Sequence, residues 1–205
     1  VGSEMCIRDR LLRAQGYTVL LGGNIGTPLF DRIADIRPDD FAVLELSSFQ
    51  LHSMHCAPDV AIITNISPNH LDVHPDLEDY VSAKCSIYRG QRPDGVLVLN
   101  ARDAHTPRFA AEAPGSVRYF SSIGPVENGV YCSDGVIYRA HGGKAEKLID
   151  VSDIRIPGAH NVENYMAAFA ATDGLVGQAA CVQVARSFAG VPHRMERIRE
   201  LNGIT

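Results

Sequence analysis

Short runs of apolar residues recur through the first two thirds of the chain and predict buried β-strands. The runs are continuously apolar rather than alternating, and helical stretches such as Asp76–Arg89 separate them. The predicted strands are Tyr17–Leu21, Phe41–Leu46, Val60–Thr64, Val96–Leu99 and Val117–Phe120. Strands of this kind are typical of a parallel sheet that helices cover on both faces.

From residue 130 onward the pattern instead predicts antiparallel pairing. Residues 130–138 predict a β-hairpin that turns at Asp134 and Gly135, because Asp-Gly is a favoured two-residue turn. Leu148–Ile156 predicts a further antiparallel strand, and Asn161–Leu175 and Gln178–Phe188 predict helices. The sequence therefore predicts an α/β fold, a mostly parallel sheet flanked by helices with a small antiparallel subsheet.

The composition is that of a folded protein and narrows the choice of partners. The 205 residues are 45% hydrophobic and 21% charged, and their formal net charge is −5. This balance argues against nucleic-acid and membrane-surface partners, since both require a basic patch. The five cysteines include no C-x-x-C pair, so we expect reduced thiols and a cytoplasmic location. We expect no secretory signal and no membrane span.

The first predicted strand leads into the glycine-rich loop Gly22–Gly26. Ligands of open α/β sheets bind beyond the carboxyl ends of the strands, and glycines beside Asn24 allow backbone N–H groups to approach an anion. Thr27 and Pro28 suit the start of a following helix. The loop lacks the G-x-G-x-x-G pattern, which argues against a dinucleotide-dependent oxidoreductase. A simple strand-to-helix turn is the alternative interpretation.

Two charged residues stand in apolar surroundings. Glu45 interrupts the second predicted strand, where a carboxylate needs a partner or a metal ion unless it already lies at an exposed strand end. Lys84 lies in the middle of the apolar stripe of the helix Asp76–Arg89. That stripe consists of Leu77, Tyr80, Val81, Cys85 and Tyr88. A lysine there has a partner, an altered charge state, or a side chain that reaches the helix edge.

Histidines occur in two groups. After the third predicted strand, His70, Asp72 and His74 form either a metal cluster or a polar surface loop. The histidines and the cysteine within residues 52–56 form a looser group. We interpret that group as helix and loop residues, since the rest of a zinc shell is missing.

Six strings of residues occur in the order seen in the Mur ligases. They are Gly22–Pro28 (GGNIGTP), Glu45–Leu51 (ELSSFQL), Asn65–Asp72 (NISPNHLD), Ala83-Lys84, His160–Asn164 (HNVEN) and Pro192–Arg194 (PHR). Each string alone is a weak pattern, but together they make the chain resemble this family from about residue 11 to the end. Mur ligases are ATP-dependent amide ligases of peptidoglycan synthesis. The first two strings are similar to those of the member that adds D-glutamate.

The resemblance implies a P-loop-NTPase-like central ATP-binding domain at residues 1–194 and the start of a C-terminal domain at 195–205. ATP would phosphorylate the carboxylate of UDP-N-acetylmuramoyl-L-alanine. The amino group of D-glutamate would then attack the acyl phosphate and release phosphate. Mg²⁺ would offset the charge on the phosphate oxygens. The resemblance also implies a monomeric, cytoplasmic parent enzyme.

The resemblance further implies a metal and catalytic set. Glu45 and His70 match magnesium ligands. Lys84 matches a lysine that carbon dioxide carbamylates, which would make it an anionic third ligand. Asn24 would contact the substrate or the transferred phosphate, so the residues expected to carry catalysis are Lys84, His70 and Asn24.

Other positions match binding residues of the family. Ser47 and Gln50 would lie close to the substrate. The positions matched to the nucleotide are Asn161, Asn164, His193 and Arg194. Asn161 could instead cap its own helix, and both roles could coexist.

One motif of the family does not occur in the 205 residues, namely G-x-x-G-K-[ST]. Residues 1–10 do not resemble the helix that follows this motif, which suggests a truncated reading frame or a foreign junction. We therefore expect the chain by itself not to catalyse ligation. We also expect low stability, because the loss of a strand leaves an exposed sheet edge.

Three alternatives remain open on the sequence. Another Mur ligase, or a ligase similar to folylpolyglutamate synthase, shares the general plan and differs mainly in the string after the second strand. A metallohydrolase would use His70, Asp72 and His74 and would bind zinc or manganese tightly. A non-catalytic chain would bind ATP and Mg²⁺ without turnover.

Overall fold

A computed structural model describes residues 3–24, 29–67 and 74–191. The helices are α1 (Ser3–Ala14), α2 (Ser48–Ser53), α3 (Leu77–Arg89), α4 (Thr106–Glu112), α5 (Ala159–Ala171) and α6 (Gln178–Ser187). The strands are β1 (Val19–Gly23), β2 (Phe41–Glu45), β3 (Val60–Ile63), β4 (Val96–Asn100), β5 (Ser116–Ser121), β6 (Gly129–Ser133), β7 (Val136–His141) and β8 (Lys144–Asp150). Two 3₁₀ turns cover Phe30–Asp35 and Val151–Asp153.

The described strands form two sheets. β1 pairs with β2 in parallel, and the other six strands form a sheet in the order β3-β4-β5-β6-β7-β8. Pairing is parallel from β3 to β6 and antiparallel from β6 to β8. The prediction of a mostly parallel α/β fold with a small antiparallel part is confirmed.

Strand β4 shows how the sheet is covered on both faces. Leu97 and Leu99 belong to a core cluster with α3 and α4, while Val98 belongs to a second cluster with α1, α5 and α6. All three side chains are almost fully buried. Because side chains alternate along a strand, a continuously apolar strand requires helices on both faces. The molecule is therefore layered as helix, sheet and helix.

The β6–β7 hairpin turns where the sequence predicts it. Asp134 and Gly135 occupy the two central positions with φ angles of +50° and +75°. Positive φ at both positions is the requirement of a type I′ turn, whose twist matches that of the flanking strands. The Asp-Gly pair thus determines the register of the antiparallel part of the sheet.

The first predicted strand was placed two residues too early. β1 covers Val19–Gly23 rather than Tyr17–Leu21, because its parallel pairing with β2 extends from Val19 to Gly23, which lies opposite Glu45. Apolar character alone did not indicate that two glycines belong to the strand. Thr27 and Pro28, predicted to begin a helix, lie outside the described residues, and a 3₁₀ turn follows them.

The last predicted strand was also wrong in its bounds. β8 covers Lys144–Asp150 rather than Leu148–Ile156. Its first half is polar and exposed because, among the described strands, it pairs only with β7 and forms an edge, so an apolar pattern missed it. A 3₁₀ turn follows directly.

Three helical segments were not predicted in full. Residues 3–10 form the first part of α1, and Met5 and Ile7 are buried in the core, while the suggested junction at residues 1–10 stays a prediction. The interpretation of residues 52–56 as helix and loop agrees with α2, which ends at Ser53, but neither the start of α2 nor α4 was predicted, because neither helix is long enough to show a helical period. The predicted domain boundary at residue 194 lies outside the described residues. No helix in the described part of the chain has the length and apolar character that a membrane span needs.

We predict that Phe169→Ala lowers the free energy of unfolding by about 3–5 kcal/mol, because it leaves a cavity in the packed centre of α5. Phe169 is fully buried beside Tyr165. The matched control is Phe30→Ala, since Phe30 is 81% exposed and its truncation should change stability by less than about 0.5 kcal/mol. Urea unfolding of both variants measures the difference, and equal losses would contradict the assigned core.

Candidate active site

A cavity of about 750 Å³ runs along β2 and β3 and reaches the carboxyl ends of β1, β2 and β3. Its wall includes five residues that the sequence singles out, namely Asn24, Glu45, Ser47, Lys84 and Asn164. The start of α1 closes another side of it with Ser3 and Glu4. A polar cavity of this size at strand ends is the usual place and scale of a ligand site in an α/β protein.

The close approach of β1 and β2 positions Asn24 and Glu45. Gly23 has a φ of +106°, and a Cβ atom there would lie 2.1 Å from the backbone oxygen of Glu45. Only glycine fits this position. Directly after it, the N–H of Asn24 donates to the carbonyl of Glu45 at 2.7 Å. Asn24 and Glu45 are therefore fixed side by side at the cavity by backbone contacts.

A capping box holds the turn between β2 and α2. The Ser47 hydroxyl accepts from the Gln50 N–H at 3.3 Å, and the Gln50 side-chain oxygen accepts from the Ser47 N–H at 2.9 Å. Ser47 lines the cavity, whereas Gln50 is not among the residues that line it. The structure thus gives both residues a local role, which satisfies the first N–H groups of α2.

Lys84 lies on the buried side of α3, as its place in the apolar stripe indicates. Its neighbours Val81 and Cys85 are fully buried, and its ammonium nitrogen lies 5.2 Å from the centre of the Tyr80 ring. Burial lowers the pKa of Lys84, and the Glu45 carboxylate offsets this only in part. A larger share of Lys84 is therefore in the neutral, nucleophilic amine form than for an exposed lysine.

The two asparagines of α5 have different surroundings. Asn164 lines the cavity and donates to the Asn161 side-chain oxygen at 3.4 Å. Asn161 is buried, and its amide donates to the Pro157 carbonyl at 2.6 Å. Asn161 is not the N-cap of its helix, because α5 begins at residue 159 with Gly158 in that position. Asn164 therefore reaches the cavity, and the buried Asn161 accepts a hydrogen bond from it.

Four candidate ligand or catalytic residues lie outside the described residues. They are His70, Asp72, His193 and Arg194. Of the proposed metallohydrolase set, only His74 is described. Its ring contacts Ser48 and Asp79, on α2 and α3.

Sequence reasoning missed Glu4 and Arg8 on α1, which line the same cavity. Glu4 is 8% exposed, and its carboxylate lies 3.4 Å from the Arg8 guanidinium. Burial raises the pKa of Glu4, Arg8 lowers it and Glu45 raises it further. The only signal in the sequence was the i, i+4 spacing of an acid and a base. These two residues add a buried carboxyl group close to Glu45.

Comparison with known proteins identifies the class to which this fold and cavity belong. The sequence profile of the Mur ligase middle domain matches residues 10–172. The chain therefore belongs to the Mur ligase family and represents its middle domain.

Two curated relatives carry the same name, UDP-N-acetylmuramoylalanine–D-glutamate ligase. The protein from Acetivibrio thermocellus is 48% identical over 194 residues, and that from Clostridium botulinum strain Alaska E43 is 46% identical over 198 residues. The matches cover 95% and 97% of this chain but only 42% of either relative. The chain thus spans less than half the length of these relatives.

Solved structures show the same fold at low sequence identity. A UDP-N-acetylmuramoyl-L-alanyl-D-glutamate–2,6-diaminopimelate ligase aligns with a TM-score of 0.76 and 21% identity, over 97% of this chain and 46% of that protein. MurF ligase from Thermotoga maritima, solved in complex with ADP, aligns with a TM-score of 0.65 and 20% identity, over 98% and 48%. The expectations for fold and family are confirmed.

We predict that Glu4→Gln stabilises the chain at pH 7 but not near pH 4. The raised pKa of Glu4 means that its protonated form stabilises the fold at low pH, and this contribution is lost as the pH rises through the folded-state pKa. Glutamine stays neutral throughout, so the variant should unfold at a higher temperature than the unmodified chain at pH 7. Thermal unfolding at both pH values measures the effect.

The control for this prediction is Glu127→Gln, which changes an exposed carboxylate. It should alter the unfolding temperature little at either pH. An equal gain from Glu4→Gln at pH 4 and pH 7 would show that burial of the charge is not the cause.

Proposed function

We propose that this chain is the ATP-binding middle domain of a ligase that adds D-glutamate to UDP-N-acetylmuramoyl-L-alanine. The observation that carries the proposal is the convergence of Asn24, Glu45 and Lys84 on one cavity in a chain of the Mur ligase family. The name shared by the relatives at 46–48% identity supports the D-glutamate specificity over other Mur ligases. The complete activity belongs to a longer protein, which we propose to be monomeric and cytoplasmic.

In the proposed reaction the carboxylate of the muramoyl-alanine attacks the γ-phosphorus of ATP, and ADP leaves. The amino group of D-glutamate then attacks the carbonyl carbon of the acyl phosphate, loses a proton and displaces phosphate. Both steps develop negative charge on oxygen, so they need donors and cations that are already in place. We propose that Asn24, whose backbone is held beside Glu45, donates its side-chain N–H groups to such an oxygen.

The donor set of the cavity fits a divalent cation. Glu45 offers a carboxylate in a half-buried position next to a lysine whose pKa burial lowers. Carboxylate oxygens are the ligands that Mg²⁺ prefers. We propose Glu45, His70 and carbamylated Lys84 as its protein ligands. When bound, Mg²⁺ would offset the charge of the phosphate oxygens.

The surroundings of Lys84 support its proposed carbamylation. The neutral amine nitrogen attacks the carbon of CO₂, one N–H proton leaves to solvent, and an anionic carbamate remains. Lowering the pKa of Lys84 increases the reactive amine at neutral pH. The change also replaces a poorly solvated cation by an anion that forms a cation site together with Glu45.

Binding roles complete the proposal. Asn164 lines the cavity and is proposed to bind the adenine. The Asn161 side-chain oxygen accepts a hydrogen bond from Asn164 and so orients its side chain. Ser47 and Gln50 are proposed to lie near the substrate, with Ser47 the closer because it lines the cavity. The proposed phosphate contacts are His193 and Arg194.

We predict that the longer protein containing this domain forms product with D-glutamate and ATP, and not with L-lysine or meso-diaminopimelate. Glu45→Gln should lower its kcat by about 10²–10³-fold. The variant lacks a proposed Mg²⁺ ligand, so the negative charge of the transition state is less well neutralised. Glu127→Gln serves as the matched surface control and should leave turnover unchanged. The 205 residues alone should show no turnover, since they contain no G-x-x-G-K-[ST] motif. Product formed only with another amino acid would overturn the proposal.

We predict one carbamate carbon resonance when the chain is equilibrated with ¹³C-bicarbonate near pH 8. Lys84→Arg should remove it, because arginine stays protonated and does not react with CO₂. Lys147→Arg should retain it, since Asp150 raises the pKa of the exposed Lys147 and keeps that amine protonated. A resonance that survives Lys84→Arg would assign the carbamate to another site.

A further inference from the structure

Three side chains meet where α2 packs against α3, apart from the residues that line the cavity. The His52 Nε2 atom lies 3.2 Å from one Asp79 carboxylate oxygen, and the His74 Nδ1 atom lies 2.6 Å from the other. The three groups each present a ligand atom, and these atoms lie within 4.8 Å of one another. His52 and Asp79 are 27 residues apart in the sequence, so only the fold brings them together.

His74 is held as metal-binding histidines usually are. Its Nε2 atom lies 2.9 Å from the Ser48 hydroxyl, its ring stacks on Phe49 at 5.4 Å, and the Tyr80 ring meets it edge-on at 5.3 Å. The side chain is only 3% exposed. A ligating histidine needs its second ring nitrogen fixed by a hydrogen bond, which sets the tautomer and the ring orientation. Ser48 satisfies that need.

The other two groups complete a ligand set. Hydrogen bonds from His74 and, secondarily, His52 lower the pKa of Asp79, so its carboxylate is ionised at neutral pH. The His52 side chain is 57% exposed, which leaves that side of the cluster open to water as a fourth ligand. Two imidazoles, a carboxylate and a water form the typical coordination of an accessible Zn²⁺ ion.

We propose that His52, His74 and Asp79 bind one divalent transition-metal ion of the Zn²⁺ class, which fastens α2 to α3. Ligand atoms of a tetrahedral zinc site lie about 3.3 Å apart, given bonds of about 2.0–2.1 Å. The His52–Asp79 contact is already at this separation, and the shorter His74–Asp79 contact opens when metal replaces its proton. In the metal-bound form Nδ1 is the ligand, and the single ring proton lies on Nε2, where it donates to the Ser48 hydroxyl oxygen. Imidazole ligands favour Zn²⁺, Co²⁺ and Ni²⁺ over Mg²⁺.

This site is independent of the proposed ligase centre but lies beside it. α2 begins directly after Ser47, and α3 carries Lys84. A metal ion bound by residues of both helices would fix the position of Ser47 relative to Lys84. The ligand set also differs from the metallohydrolase set of the sequence, since it uses His52 and Asp79 in place of His70 and Asp72.

Titration of the purified chain with ZnCl₂ in a calorimeter tests the proposal, and visible absorption of the Co²⁺ form reports the coordination. We expect one tight equivalent in the unmodified chain, with at least tenfold weaker binding in His52→Ala and in Asp79→Asn. His55→Ala is the matched control, since it removes an exposed histidine three residues from His52, and it should bind like the unmodified chain. A large excess of Mg²⁺ should not compete.

His52→Ala is the decisive variant, because His52 is exposed and its removal should not disturb folding. Zn²⁺ should raise the thermal unfolding temperature of the unmodified chain and of His55→Ala, and should raise it far less in His52→Ala. The proposal is overturned if the unmodified chain binds no zinc. It is equally overturned if His52→Ala binds zinc as tightly as His55→Ala, since the ion would then use other ligands.

Discussion

Burial of the central sheet on both faces is the constraint from which the rest of the structure follows. Leu97, Val98 and Leu99 in β4 alternate between the two helical layers and leave almost no surface exposed. No polar side chain is tolerated along such a strand without a partner. Asn24 and Glu45 stand where the parallel strands β1 and β2 end, and the cavity has both residues and Lys84 of α3 on its wall.

The cavity holds charge that its surroundings do not stabilise well. Burial lowers the pKa of Lys84 and raises the pKa of Glu4, so each group is pushed toward its neutral form. Perturbed groups of this kind are concentrated at functional sites, because the unfavourable charge is relieved when a ligand or modification arrives. A carbamate on Lys84 and a divalent cation beside Glu45 would relieve it together. The stability of this region is thus linked to the chemistry that we propose for it.

Local backbone contacts, rather than long side-chain networks, set the geometry of the site. Gly23 permits β1 to touch β2, and the Asn24 N–H donates to the Glu45 carbonyl. The capping box of Ser47 and Gln50 then fixes the entry into α2. Through its contacts with Ser48 and Asp79, His74 joins α2 to α3. These rigid elements make the relation between Glu45 and Lys84 a property of the fold.

The sequence by itself determined the fold class, the hairpin turn and the buried face of α3, because apolar periodicity and turn chemistry are local properties. It also indicated Glu45 and Lys84 as charged residues in apolar surroundings, and its six strings of residues indicated the Mur ligase family. It misplaced β1 and β8, since the glycines of one and the polar edge of the other depend on the strand each pairs with.

Only the tertiary structure decided which residues meet. It placed Glu4 and Arg8 at the cavity, set Asn161 behind Asn164, and brought His52 and His74 to Asp79. The contact of His52 with Asp79 and the position of Glu4 near Glu45 join groups more than twenty residues apart. They depend on how helices and strands pack, and a one-dimensional pattern does not contain that packing.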